Sequence, residues 1–184
     1  MNIDQLIAHI KRSAQHRYIY HFTDESNIAS IAAKGIASKT LMRSEGWWPN
    51  ATGGNQLSHN LDDIRGISDY VSLCLTRNHP MKYLAHRDGR LPSPKQLGIM
   101  PEILKTPGVR VAFGIANAND TVILDLSEAI DLLDLEVIYS RTDWSDPNVQ
   151  ERLRNAERME ILVPNLEPPR VCRRLQLLRR WSRY

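Results

Sequence analysis

The sequence predicts an α+β domain. Three observations carry this: an amphipathic helical pattern at the start, several short stretches rich in branched and aromatic residues, and no regular alternation of strand with helix. At 184 residues the chain suits a single domain spanning 1–184, large enough to bury a core without metal or disulfide staples. Hydrophobic residues make up 42% and charged residues 24%, a globular balance that argues against disorder. No run approaches the ~18 apolar residues of a membrane span, and the first residues lack a basic-then-apolar signal pattern. A soluble, cytoplasmic protein is expected. Cys74 and Cys172 form no C-x-x-C pair and read as reduced thiols.

Between Asn2 and Arg12, the residues Ile3, Leu6, Ile7 and Ile10 recur at the spacing of one buried helical face. Tyr18 to Phe22 then reads as a strand. A second helix follows through Ala33, with Thr23 as its N-cap and Gly35 as its stop. From Glu45 to Asn60, Gly46, Pro49, Gly53, Gly54 and three Asn make a long loop. Tyr70 to Thr76 has the character of a central strand, Met81 to His86 forms a helical turn, and Gly89 to Pro107 is a second loop. Val109 to Ala116, Thr121 to Leu126 and Leu135 to Ser140 are further strands. A polar helix from Pro147 to about Arg158 leads into the strand Met159 to Val163, which Pro164, Pro168 and Pro169 end.

Several chemistries are excluded by motif. The chain has no G-x-G-x-x-G, no G-x-x-x-x-G-K-S, no H-E-x-x-H and no G-x-S-x-G. Its six histidines show no metal spacing with Cys or carboxylates, so no metal is expected. The net charge of +3 is mild but uneven. Arg170, Arg173, Arg174, Arg179, Arg180 and Arg183 crowd the last fifteen residues, which hold no acidic residue. Such a patch attracts phosphate backbones, though a solvated terminal face has the same composition.

Two strands carry a polar residue that neither needs: His21 between aromatic neighbours, and Glu160 before a branched apolar run. Burying either is costly without a partner or a task. With Tyr70, Ser72, Thr76 and Tyr83 on and after a third strand, they can line one cleft. That set suits substitution at the glycosidic bond of NAD, which develops positive charge on the ribose that a carboxylate can stabilise. A neutral His can hold a ribose hydroxyl, and a Tyr ring can stack on nicotinamide. Trp47 and Trp48 are either hydrophobic plugs or a surface for an unstacked base.

Tyr20-His21-Phe22-Thr23, then Asn27, Ile31 and Gly35, resembles the opening Y-H-x-T, Asn and Gly-ended helix of the DarT family in the ADP-ribosyltransferase superfamily. Asp69-Tyr70-Val71 followed by Pro80-Met81 and Tyr83 is similar to its D-Y-V strand and P-M-x-Y turn. Asn155 to Val163 resembles the strand bearing its catalytic Glu. The resemblance implies an ADP-ribosyltransferase-like fold, with a split central mixed or antiparallel sheet flanked by helices. It also implies an NAD-dependent enzyme that ADP-ribosylates a nucleobase of single-stranded nucleic acid, DNA or RNA. By the same resemblance the protein is a toxin with a neutralising partner protein.

Residue by residue, the resemblance makes Glu160 catalytic, with Glu157 its closest rival. Arg65 is the nearest match to a family Arg, with Arg43 as runner-up. His21, Thr23, Asn27, Tyr70, Ser72 and Tyr83 fall in the NAD site, and Tyr83 stacks on nicotinamide. Trp47, Trp48, Arg173, Arg174, Arg179 and Arg180 are the nucleic-acid candidates. Two departures concern the acceptor: Val71-Ser72-Leu73-Cys74 stands where thymidine-modifying members more often carry an aromatic, proline-containing strand, and the loop from Glu45 to Asp69 is distinctive. Transfer to protein, NAD hydrolysis, and an inactive nucleic-acid-binding module remain the alternatives.

Overall fold

The computed structural model describes residues 1–140 and 142–165, together with the backbone of Gln176–Leu177. In chain order its elements are α1 (Ile3–Arg12), β1 (Ile19–Asp24), α2 (Ile28–Lys34), α3 (Lys39–Ser44), α4 (Gln56–Ile64), β2 (Tyr70–Cys74) and α5 (Pro80–Arg87). There follow β3 (Pro94–Ile99), β4 (Arg110–Ala112), β5 (Ile123–Asp125), α6 (Leu126–Ala129), α7 (Leu135–Tyr139), α8 (Pro147–Glu157), β6 (Glu160–Pro164) and β7 (Gln176–Leu177). The strands form one sheet in the order β5-β4-β6-β2-β1-β3-β7, antiparallel at every pairing.

Strand alternation assigns the two faces of this sheet different work. Val71, Leu73, Val111, Ile161 and Val163 join the main core with Leu6, Ile7 and Ile10 of α1 and with residues of α6, α7 and α8. Leu162 and Ala112 turn the other way, packing with Ile67 and Ala116. Glu160 is two residues from Leu162 and shares its face, away from the larger core. α1 begins with a reciprocal cap: Asn2 Oδ1 accepts the Gln5 N–H at 2.9 Å, and Gln5 Oε1 accepts the Asn2 N–H at 2.9 Å.

The sheet is split, as the resemblance implies. β1 pairs with β3 through six residues, from Ile19↔Ile99 to Asp24↔Pro94, but with β2 only at Tyr20↔Cys74. β2 meanwhile stays paired with β6 from Cys74↔Glu160 to Tyr70↔Pro164. The two halves therefore part past Tyr20, leaving an opening floored by β2 and β6.

Four sequence expectations need correction. The loop read over Glu45 to Asn60 ends early, because Asn55 accepts the Ser58 N–H at 2.9 Å and caps α4. The second loop, Gly89 to Pro107, contains β3, the main partner of β1. Leu135 to Ser140, read as a strand, is helix α7, capped by the Asp134 side chain. Thr23 does not cap a helix. It pairs with Lys95 in β1, and the cap falls to Asp24, whose Oδ1 accepts the Ser26 N–H at 3.0 Å. Gly35 does end α2, at a φ of 91°.

Leu73 is fully buried on β2, whereas Leu57 on α4 is 65% exposed. Leu73→Ala should cost about 3 kcal/mol, seen as a lower urea midpoint with an unchanged slope. Leu57→Ala should stay within about 0.5 kcal/mol of the parent in the same measurement.

Candidate active site

The opening between β1 and β2 is a cavity of about 380 Å³. His21, Thr23, Asn27, Tyr70, Ser72 and Glu160 all line it, as do Trp47 and Trp48. Lys39, His59, Asp62, His79 and Asn117, which sequence reasoning did not select, line it as well.

Glu160 is the carboxylate at the floor. It opens β6 between Cys74 of β2 and Ala112 of β4, and only 8% of its surface is exposed. Burial pushes its carboxyl up to about 7, eased by the Ser72 hydroxyl, the Ala116 amide and the charge of Lys39. Lys39 begins α3 and ion-pairs with Asp62, which also accepts a hydrogen bond from Asn117 Nδ2 at 2.9 Å. Burial brings the Lys39 ammonium down to about 8, against the pull of Glu160 and Asp63. An acid and a base that both titrate close to neutrality thus face one cavity.

The two histidines nearest the floor are held in opposite tautomers. His21 Nδ1 lies 3.3 Å from the Ser72 carbonyl, which can only accept, so Nδ1 carries the proton and Nε2 is left as an acceptor. Burial keeps this ring neutral, lowering its pKa despite that bond. His79 Nδ1 accepts the Met81 N–H at 3.3 Å, so the neutral ring carries its proton on Nε2, 3.6 Å from Glu160 Oε1. Burial brings His79 down to about 4, and Phe22 stacks on the ring at 5.8 Å. His79 is thus a neutral neighbour of Glu160 beyond hydrogen-bond distance, its ring also interacting with the Arg158 backbone. Cys74 is also buried beside Glu160, and its thiol is pushed well up by burial.

Asn27 ties the loop over the cavity to β1. Its Nδ2 donates to Thr23 Oγ1 at 3.1 Å and to the Ala51 carbonyl at 2.7 Å, while its Oδ1 accepts the Asn50 N–H at 2.9 Å. All its polar capacity goes into shaping the wall. Gly53 lies so close that a Cβ there would come within 3.0 Å of Phe22 Cε2. Trp48 stands 43% exposed at the mouth, edge-on to His59 with ring centroids 5.5 Å apart. Lys34 Nζ sits 4.9 Å over the Trp47 ring.

Other sequence candidates lie elsewhere. Arg65 does not reach the cavity: its guanidinium donates to the Ala118 and Thr121 carbonyls, a clamp on the segment before β5. Its runner-up Arg43 pairs with Asp63 at 2.8 Å and lies outside the cleft. Tyr83 is 66% exposed and does not line the cavity, although Met81 of the same helix does. Glu157 closes α8 and is not part of the wall. Arg173, Arg174, Arg179 and Arg180 lie outside the described residues, as does Cys172. Among the described residues no group of three or more His, Cys, Asp or Glu is placed to hold a metal, and no helix is long and apolar enough to cross a membrane.

The raised pKa of Glu160 links stability to pH. Between about pH 7 and about pH 4.5 the folded protein keeps a proton on Glu160 that the unfolded chain has released, so this group adds stability as pH falls through that window. Glu160→Gln removes the dependence. Relative to the parent, the variant should lose on the order of 3 kcal/mol of stability as pH drops through the window, measured by urea unfolding at each pH. A constant difference across it would show that the carboxyl titrates normally.

The fold has counterparts among solved structures. Thermus sp. 2.9 DarT in complex with ADP-ribosylated ssDNA superposes with a TM-score of 0.57 at 14% identity, over 85% of this chain and 80% of that one. Thermosipho africanus DarTG in complex with ADP-ribose gives a TM-score of 0.61 at 19% identity, over 80% of this chain and 40% of that one. Thermus sp. 2.9 DarT in complex with NAD+ gives 0.55 at 16% identity, over 85% of this chain and 79% of that one. No curated protein sequence matches. The family model described as "ssDNA thymidine ADP-ribosyltransferase, DarT" matches residues 20–175. The chain therefore belongs to the DarT family of ssDNA thymidine ADP-ribosyltransferases, and its activity is the NAD-dependent transfer of ADP-ribose that defines that family.

Proposed function

We propose that the cleft between β1 and β2 is where this chain binds NAD and transfers ADP-ribose to thymine. The observation that carries this is Glu160, a nearly buried carboxylate at the cavity floor whose neighbours hold it near neutrality. In the reaction the C1′–N bond to nicotinamide breaks, nicotinamide leaves neutral, and C1′ bonds to the base. Positive charge grows on the ribose in between. An ionised Glu160 in a water-poor site stabilises that charge far better than a solvated carboxylate would. In thymidine the base keeps one N–H, its imide, and must lose that proton as the new bond forms there. Once the ribose charge is gone, Glu160 is the acceptor for it.

The remaining wall residues receive NAD. His21 presents Nε2 as an acceptor for a ribose hydroxyl, and its bond to the Ser72 carbonyl fixes the ring orientation. Thr23 and Asn27 hold the loop that covers the cavity. Trp47 and Trp48 supply aromatic surface at the mouth for an unstacked base. The reading extends to the cell: modification of DNA implies a toxin acting in the cytoplasm, with a partner protein to restrain it. The likeness to a DarTG chain more than twice the matched length supports a search for that partner.

Labelled NAD incubated with single-stranded DNA, RNA or neither tests the activity. Label should enter thymidine-containing DNA, and Glu160→Gln should reduce incorporation at least roughly a hundredfold. NAD-dependent thermal stabilisation should persist in that variant. Label on RNA or protein alone would redirect the acceptor, and equal labelling by both proteins would remove Glu160 from the chemistry. His21→Ala should raise the KM for NAD by roughly tenfold with a smaller change in kcat, as expected for a group that holds substrate in ground and transition states alike.

A further inference from the structure

Beside the cleft lies a second concavity of about 510 Å³, bordered by Arg43 and Arg90 and sharing Trp48, Thr52, Gly54 and His59 with the cleft itself. Among the described residues no acidic one lines it. We propose that this groove is the phosphate subsite of the DNA strand, holding the phosphodiester next to the acceptor thymidine. The inference rests on the reading of the cleft as the site of base transfer.

Each guanidinium is tied to one carboxylate, Arg43 to Asp63 and Arg90 to Asp88. Arg43 donates one Nη1 bond to Asp63 and lies 5.6 Å from the Trp48 ring centre. Arg90 donates from Nη2 to Asp88 at 3.1 Å, while its Nη1, shielded from solvent, meets no acceptor among the described residues. A guanidinium has five N–H donors, so each arginine has donors that its carboxylate does not engage, and a buried donor without an acceptor is unfavourable. Phosphate oxygens are strong acceptors that match the guanidinium fork.

Contiguity selects the ligand. Trp48 and His59 form the partition between groove and cleft, so a chain with its base in the cleft passes them with its backbone in the groove. Gly54 keeps that partition thin: a Cβ there would press to 3.2 Å from the His59 ring. The diphosphate of NAD offers the same oxygen chemistry from a different source, and binding measurements separate the two.

The test is fluorescence anisotropy of labelled oligothymidylate with the full chain, at several salt concentrations. Arg90→Gln and Arg43→Gln should each weaken DNA binding by roughly tenfold and lower the slope of log Kd against log salt by about 1. Arg90→Gln should leave NAD affinity unchanged. An oligothymidylate with one neutral methylphosphonate linkage should bind the parent protein roughly tenfold more weakly and Arg90→Gln no worse than unmodified DNA does, a comparison that needs no structural assumption about the variants. Unaltered DNA binding by Arg90→Gln, or a loss of NAD affinity in its place, overturns the proposal. DNA binding by the parent without any transfer would sink the reading of the cleft while the groove is still judged by these titrations.

Discussion

β1 and β2 meet in a single pairing, Tyr20 with Cys74, and then diverge while each stays fully engaged on its other side. A parting inside a sheet exposes backbone groups that would otherwise be paired, at about 1–3 kcal/mol for each one buried without a partner. The Ser72 carbonyl is the first such group on β2, and His21 Nδ1 meets it from the first residue of β1 beyond the last pairing. The same contact bridges the parting strands and fixes the tautomer of a cleft-wall histidine. The cavity and its chemistry depend on that split, since a zipped sheet would have no space above Glu160.

The electrostatic character of the floor follows from how this space is enclosed. Glu160 shares its cavity with loop residues that Asn27 pins to β1, and with only 8% of its surface exposed its carboxyl rises toward neutrality. The neighbours are matched to that state. His79 stands uncharged 3.6 Å away, and Lys39 offers a cation already paired with Asp62. Neither forces full ionisation, which a fully charged Arg or Lys in direct contact would do.

The strands that bear the proposed site residues were legible because each has a dense apolar pattern with one misfit residue: His21 within Tyr-Ile-Tyr-His-Phe and Glu160 before Ile-Leu-Val. β3 was hidden because it starts at a proline and contains Gly98, both punctuation in a sequence, yet both tolerated near the sheet margin. α7 was misread because Leu-Glu-Val-Ile-Tyr is a short apolar run whose period cannot separate helix from strand. Tyr83 and Met81 show the limit of motif spacing. Residues two apart on a helix point about 200° from each other, so when Met81 lines the cavity Tyr83 faces away. Lys39, Asp62 and His79 had no local signal, because what makes each notable is a partner or neighbour supplied by another element.

In the proposed reaction, with Glu160 as the carboxylate, its raised pKa also orders the steps. NAD carries its positive charge on the nicotinamide ring, and placing a cation above a carboxylate that titrates near 7 favours the ionised form. Binding of the dinucleotide thus draws Glu160 into the state that the developing ribose charge requires. Departure of neutral nicotinamide and capture of C1′ by the base remove both cations. The carboxylate is then left buried and uncompensated, its affinity for a proton is restored, and the thymine imide releases one at that stage. A carboxylate with an ordinary pKa would stabilise the ribose but would be a poor proton acceptor afterwards, and one raised much further would not ionise on binding. The enclosure set by the split between β1 and β2 holds Glu160 between those limits.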